Sequence, residues 1–327
     1  MTLEIIASKI MPKLQKPKSE LDMEYWYQKF IAYTKQYDNI EEELLACTKF
    51  DFGARLSMSV GEYGSEQFYF FLDKVKKTNG YKFYFYPKLD EHEDRLIKAY
   101  IMIGASEFPN KYHCGFHQNY DNFPIQDQDC PYPAKIVNKI QIKTFSKISD
   151  KKIYSHNDGF VVSSNLAEKI LDHFSDSCCL APVMDCKDKK KHNNMHLLIS
   201  NNMLPLSSKD ALRFEYEYEG NKALLYEGTI IYEKKSLEFL KSFNYTCETA
   251  NRSFTPDMII SKKFKVFCEK EKIKGVHFLP ILEKETELYR KYYELVIAMC
   301  NNLIASNSKH RIGFGEINPK IILEALE

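Results

Sequence analysis

The chain has almost no charge of one sign to spare. Across 327 residues, 46 Lys and Arg stand against 45 Asp and Glu, a formal net charge of +1. Nucleic-acid binders usually carry a basic excess, because neutralising phosphates supplies most of their affinity. No nucleic-acid partner is therefore expected. Long apolar runs are also missing. Nothing approaches the ~18 residues needed to cross a bilayer. Residues 1–18 intersperse Leu3, Ile5, Ile6, Ile10, Met11 and Leu14 with lysines, without the unbroken apolar core of a secretion signal. The expected setting is the cytoplasm, away from membranes. No CxxC pair occurs, and the nine cysteines are odd in number and irregularly spaced. Cys47, Cys268 and Cys300 sit inside apolar stretches and read as small buried hydrophobes with free thiols. The chain has no GxxxxGK[ST], HExxH or GxSxG motif.

What is present suffices for a large core. Apolar residues make up 44% and charged residues 28%, both near globular norms, so disorder is not the default. Length suggests two units of ~150 residues. Tyr25, Phe30, Ile31, Tyr33, Ile40, Leu44 and Leu45 recur at helical spacing over 22–48. A strand is predicted at 54–60, a turn at Gly61–Gly64, a helix at 65–77, an aromatic strand at 81–86 and a buried strand at 96–104. Pro109, Pro124, Pro131 and Pro133 interrupt 105–135, which reads as a connection. Beyond it, 136–145 alternates like an exposed strand. Residues 212–232 read as a hairpin around Gly220-Asn221-Lys222, and 284–305 as a helix with Leu288, Tyr292, Leu295, Met299 and Leu303 on one stripe. The expected fold is mixed α+β in two packed units: 1–110, then an irregular 111–135, then 136–327.

The second unit contains a duplication. Residues 161–183, VVSSNLAEKILDHFSDSCCLAPV, align without a gap on 259–281, IISKKFKVFCEKEKIKGVHFLPI. Ser163 falls on Ser261, Leu166 on Phe264, Ile170 on Cys268, Leu180 on Phe278 and Pro182 on Pro280. Each copy reads as a strand ending at a Ser, a helix of about ten residues, and a returning strand stopped by Pro. Each Ser is expected to cap its helix; neither has the Gly-bounded elbow of a nucleophile.

The second copy with its lead-in, PDMIISKKFKVFCEKEKIKGVHFLPI (256–281), resembles the C-terminal signature of the immunity 11-like proteins of bacterial polymorphic toxin systems. It also resembles that of the related myxococcal double-CxxCG proteins. The shared features are Ile259-Ile260, Ser261, Phe264, Gly275, Phe278 and Pro280. The resemblance implies a cytoplasmic protein that neutralises a toxin by binding it, with no catalytic residues. The chain lacks the CxxC pairs of the double-CxxCG branch, and with them that branch's structural zinc.

Five groups of side chains are candidates for chemistry or binding. His113, Cys114 and His117, with Cys130 further on, have spacing that can ligate zinc, though a fourth ligand is not evident and the bland reading is a polar loop. Cys178, Cys179, Cys186, His192 and His196 form a second Cys/His group, with both histidines on one face were the segment helical. The lysines at 187 and 189–191 argue for a solvated loop instead. Arg311–Glu316 has two glycines but lacks the third glycine and context of a dinucleotide site. Adjacent Glu41, Glu42 and Glu43 read as a solvated face. On the hairpin, Glu215, Glu217 and Glu219 are spaced by two, opposite in face to Phe214, Tyr216 and Tyr218, and Glu227 extends the row. This row is the expected docking face for a basic partner such as a toxin. The functional expectation is a protein-binding immunity protein rather than an enzyme. An enzyme or effector with its site in the N-terminal half or the 111–130 loop is the alternative, with His113 and His117 as acid–base groups. An antiphage or scaffold component is a third.

Overall fold

A computed structural model describes residues 1–10, 48–50, 55–76, 81–105, 119–122, 135–142, 148–156, 159–185, 190–209, 211, 213–218, 221–226, 228–248, 256–306 and 311–312. The chain is a mixed α+β protein that divides into two units, Met1–Glu93 with Glu285–Glu327, and Asp94–Lys284. Both boundaries differ from the expected 1–110 and 136–327. Of the helical stretch expected at 22–48, residues 22–47 lie outside the described residues, and Thr48 begins a strand instead.

In the first unit, β1 (Thr2–Ile10), β2 (Thr48–Phe50), β3 (Arg55–Glu62), β4 (Lys82–Lys88) and β19 (Arg311–Ile312) form a sheet in the order β19-β4-β1-β3-β2. Helix α1 (Glu66–Val75) starts where Ser65 Oγ accepts from Phe68 N–H at 3.2 Å. The aromatic strand β4 alternates as its sequence demands: Phe83 and Phe85 are buried, Tyr84 and Tyr86 half-buried. Phe71 of α1 meets Tyr81 and Phe83 edge-on, at 5.5 and 6.2 Å between ring centres. The long helix α5 (Glu287–Ser306) packs on β1 and α1. Its buried stripe is wider than the sequence suggested, adding Tyr289, Tyr293, Val296 and Cys300. This burial is why 285–306 belongs with the first unit. Glu93, on the short helix α2 (Glu91–Leu96), is buried. Burial pushes its carboxyl up, but hydrogen bonds from Lys291, the Met1 amino group and Asp90 N–H outweigh it and hold the pKa at about 2.

The second unit begins with β5 (Ala99–Gly104), followed by β6 (Asn119–Asn122), β7 (Lys135–Ile142), β8 (Tyr154–His156) and β9 (Gly159–Ser163). Then come α3 (Ser164–Phe174), β10 (Cys178–Asp185) and β11 (Lys191–Ser200). The hairpin is β12 (Arg213–Tyr218) with β13 (Asn221–Tyr226). After it run β14 (Ile231–Tyr232), β15 (Phe243–Tyr245), β16 (Met258–Ser261), α4 (Lys262–Lys270), β17 (Val276–Pro280) and β18 (Leu282–Glu283). One sheet has the order β6-β7-β10-β11-β9-β8, a second β15-β16-β5-β17.

The duplicated element forms as predicted: β9 enters α3 at Ser163 and returns as β10, and β16 enters α4 at Ser261 and returns as β17. In neither copy are its two strands neighbours. β11 lies between β9 and β10, antiparallel to both. β5 lies between β16 and β17, also antiparallel to both. The outer edge of each copy takes one more antiparallel strand, β8 on β9 and β15 on β16. This explains why residues 99–104 belong with the second unit: Tyr100, Ile101 and Met102 are buried in mid-sheet.

Other expectations change locally. β7 pairs on both sides, with β6 and β10, and buries Ile140 and Ile142, so it is an interior strand rather than an exposed one. Pro182 does not end its strand; β10 runs on to Asp185, with a register shift between Pro182 and Met184 that accommodates the missing donor. Pro280 is the last residue of β17, as expected. The hairpin ladder continues to Tyr218–Asn221, so Asn221 and Lys222 are strand rather than turn. Cys268 and Cys300 are buried free thiols, as is Cys178, and burial pushes all three up to about 12. Cys47 lies outside the described residues, and Cys247 is disulfide-bonded.

Candidate functional site

The first Cys/His group, His113, Cys114, His117 and Cys130, lies outside the described residues, as do Cys186, Glu41, Glu42, Glu43, Gly313 and Gly315. His192 and His196 lie on strand β11, not on a helix or loop. Four residues along a strand put them ~13 Å apart, too far for one ion. His192 Nε2 lies 3.2 Å from Ile142 O and 3.8 Å from the Asp185 carboxylate. His196 is held below its ordinary pKa by partial burial and by the Lys191 charge. Among the described residues, no three His, Cys, Asp or Glu side chains gather as metal ligands.

The register of the hairpin bears on the acidic row. Arg213 pairs with Tyr226, Glu215 with Leu224, and Glu217 with Lys222. Leu224 and Tyr226 are buried, and Tyr226 joins the core with Ile230, Tyr232 and Ile259. The side chains of Glu215 and Glu217 themselves lie outside the described residues. Glu219 and Glu227 lie outside the described residues.

A different surface gathers apolar and charged groups: an open groove of about 420 Å³ between α3 and α4, the helices of the two copies. Helix α3 buries Leu166, Ala167, Ile170 and Phe174. Its start is fixed by Ser163, whose Oγ accepts from Leu166 N–H at 3.1 Å and donates to the Asp150 carboxylate. Helix α4 buries Phe264 and Cys268. Ser261 makes no such cap; its buried Oγ has no partner among the described residues. There the first helical N–H, of Lys262, goes instead to Lys98 O at 2.9 Å, on the residue before β5.

Between the helices runs an aromatic seam. Phe243 and Phe264 meet at 4.5 Å, and Phe174 meets Phe264 and Phe267 at 5.4 and 5.3 Å. Phe264 stacks on Phe267 at 6.0 Å, and His173 sits 5.3 Å from Phe267. The seam runs from buried Phe243 outward to half-buried Phe267, exposed His173 and Val266, which is 49% exposed. His173 Nδ1 lies 3.0 Å from Lys169 O. A carbonyl only accepts, so Nδ1 is the donor in this contact, and Nε2 is the nitrogen that it leaves out.

The rim is cationic. Lys169, Lys263 and Lys270 line it against a single carboxylate, Glu271. Lys169 pairs with Glu271 at 3.3 Å. Lys263 and Lys270 are exposed and have no ion-pair partner among the described residues. The neighbouring Lys265 is spent internally, at 2.6 Å from Asp94 and 4.5 Å over the Tyr100 ring. Sequence reading missed this groove, although its signal was present. Lys263, Val266, Phe267 and Lys270 stand at i, i+3, i+4 and i+7, a second stripe on a nine-residue helix whose core stripe is Phe264 and Cys268.

No protein-family model, curated protein or solved structure matches the chain.

Proposed function

We propose that this protein acts by binding another protein, as a bacterial immunity protein that neutralises a cognate toxin in the cytoplasm. The observation that carries the reading is the groove between α3 and α4, an open apolar surface with Val266 and Phe267 at its lip. An open, shallow apolar surface with a charged rim suits a macromolecule better than a small molecule, which is held in a closed concavity. The segment that resembles immunity proteins, 256–281, is the one that supplies α4 and so one wall of this groove. Among the described residues, no helix is long and apolar enough to cross a membrane.

The test is co-expression of the chain with each protein encoded beside it, followed by affinity capture and a growth assay. A neighbour that arrests growth alone, is captured by the chain and is silenced by it supports the reading. If no neighbouring product is captured and none is silenced, the reading fails.

A further inference from the structure

We propose that the groove between α3 and α4 receives an acidic amphipathic segment of the partner, with an apolar side chain seated on Val266 and Phe267 and carboxylates against Lys263 and Lys270. The inference rests on the protein-binding reading above and names the partner's chemistry. It differs from the sequence expectation, which placed a basic partner on the hairpin.

The argument begins with the stripe on α4. Lys263 and Lys270 are two turns apart, ~10.5 Å along the axis, with Val266 and Phe267 between them. An apolar centre between two cations is complementary to a segment with an apolar residue between two carboxylates. Helix-in-groove recognition reads such anchors at the same i, i+3, i+4, i+7 spacing. Both lysines are exposed and uncompensated among the described residues, so a partner carboxylate need not displace an ion pair there. His173 on the facing wall adds a ring nitrogen, Nε2, that is not taken by the Lys169 carbonyl.

Two other occupants fit less well. Single-stranded nucleic acid stacks bases on open aromatic faces, but Phe267 already packs against Phe264, Phe174 and His173. Two lysines and a net charge of +1 also give little phosphate attraction. A second copy docking through the same patch would set Lys263 and Lys270 against their own equivalents, a like-charge contact.

Panning the full-length chain against a phage-displayed library of random peptides of about 16 residues, four to five helical turns, reads the preference directly. Enriched peptides should carry net negative charge flanking an apolar residue. Their affinity should fall at least about tenfold for Val266→Asp and for the Lys263→Glu/Lys270→Glu double variant, as for a central anchor. All three positions are exposed, so both variants should unfold near the wild-type midpoint. Basic versions of the same peptides should recover binding to the double variant. The proposal is overturned if no peptide enriches, if the enriched set has no acidic bias, or if both variants bind as wild type does. It is equally overturned if a thirty-nucleotide oligo-dT binds more tightly than any peptide, or if the chain dimerises and Val266→Asp abolishes the dimer. A neighbour-encoded toxin held equally by wild type and both variants sinks the groove and leaves the protein-binding reading. Acidic peptides without any captured neighbour keep the groove and sink the immunity reading.

Discussion

The two strand–helix–strand copies fill their centres from different places. In the first, the chain leaves β10 and turns straight back as β11, so the middle strand is the next one made. In the second, the middle strand is β5, where Ile101 pairs with both Ile259 and Leu279. The same spatial motif is reached by local and by distant chain. Each middle strand is antiparallel to both partners and buries neighbouring residues on its two faces, Leu197 and Leu198 in β11 and Ile101 and Met102 in β5; its place in the sequence is free. The helix starts differ in the same sense. Ser163 is fully engaged, while Ser261, its match in the alignment, is idle beside the Lys98 carbonyl that takes the first N–H of α4. A matched residue in a duplication need not do matched work.

This contrast can be broken by substitution. The largest effect is expected at Phe264, whose ring meets Phe243, Phe174 and Phe267, so that it belongs to the seam between copies. Phe264→Ala should lower stability by about 3–5 kcal/mol and Leu166→Ala, its counterpart, by about 2–5 kcal/mol. Only the Phe264 change should also weaken partner binding. Urea denaturation and binding measured together test this; a Leu166 variant that loses binding equally would show that the seam is not special.

Next is the turn before the returning strand. Gly275 has φ +92°, and a Cβ there would lie 2.0 Å from the Ile153 carbonyl oxygen. Gly275→Ala should cost about 1–3 kcal/mol. The aligned position in the first copy is Ser177, which needs no such freedom because positive φ outside glycine is confined, among the described residues, to Lys272 and Glu285. An unchanged melting temperature for Gly275→Ala would contradict the close approach of these segments.

The caps give a smaller and sharper difference. Ser163→Ala should destabilise by about 1 kcal/mol. Ser261→Ala should be neutral or slightly stabilising, since it removes a buried hydroxyl that has no partner among the described residues. Equal losses at both would mean that Ser261 caps after all.

The smallest effect is a pH dependence confined to the first copy. Hydrogen bonds from Ser163 and Asn165 hold the Asp150 carboxyl below its ordinary value. A depressed carboxylate contributes stability above its unfolded pKa, about 3.9, and loses it as pH falls through the lower folded value. The slope below pH 4 should be shallower in Asp150→Asn; Glu93 supplies a separate acid-side loss, towards pH 2, that persists in both proteins.

Much of this fold was legible in the sequence. Period-2 alternation located β4 and the hairpin, and period 3.6 located α1, α3 and α5, because burial of one face imposes those spacings. The alignment of 161–183 on 259–281 correctly placed both helix entries. Pairing was not legible. Nothing within residues 99–104 says that its neighbours are 258–261 and 276–280, because an apolar strand is acceptable to many partners. The same limit moved the unit boundaries. The groove was missed for a related reason. The helix stripe of Val266 and Phe267 was visible, but its opposing wall is contributed by His173 and Phe174, brought there by tertiary packing.

The distant origin of β5 sets a schedule for synthesis. At a translation rate of ~5–20 residues per second, β8 through β11 can pair within seconds of one another. Strand β5 leaves the ribosome before them, yet its partners β16 (Met258–Ser261) and β17 (Val276–Pro280) are made only after all of them. It must wait for on the order of ten seconds or more as an apolar segment with both hydrogen-bonding edges open, a state prone to mispairing with other chains. Slower elongation prolongs that wait, whereas a circular permutant that moves β5 next to β17 removes it. Soluble yield from the ribosome, at unchanged equilibrium stability, is then limited by how long this one strand stays unaccompanied.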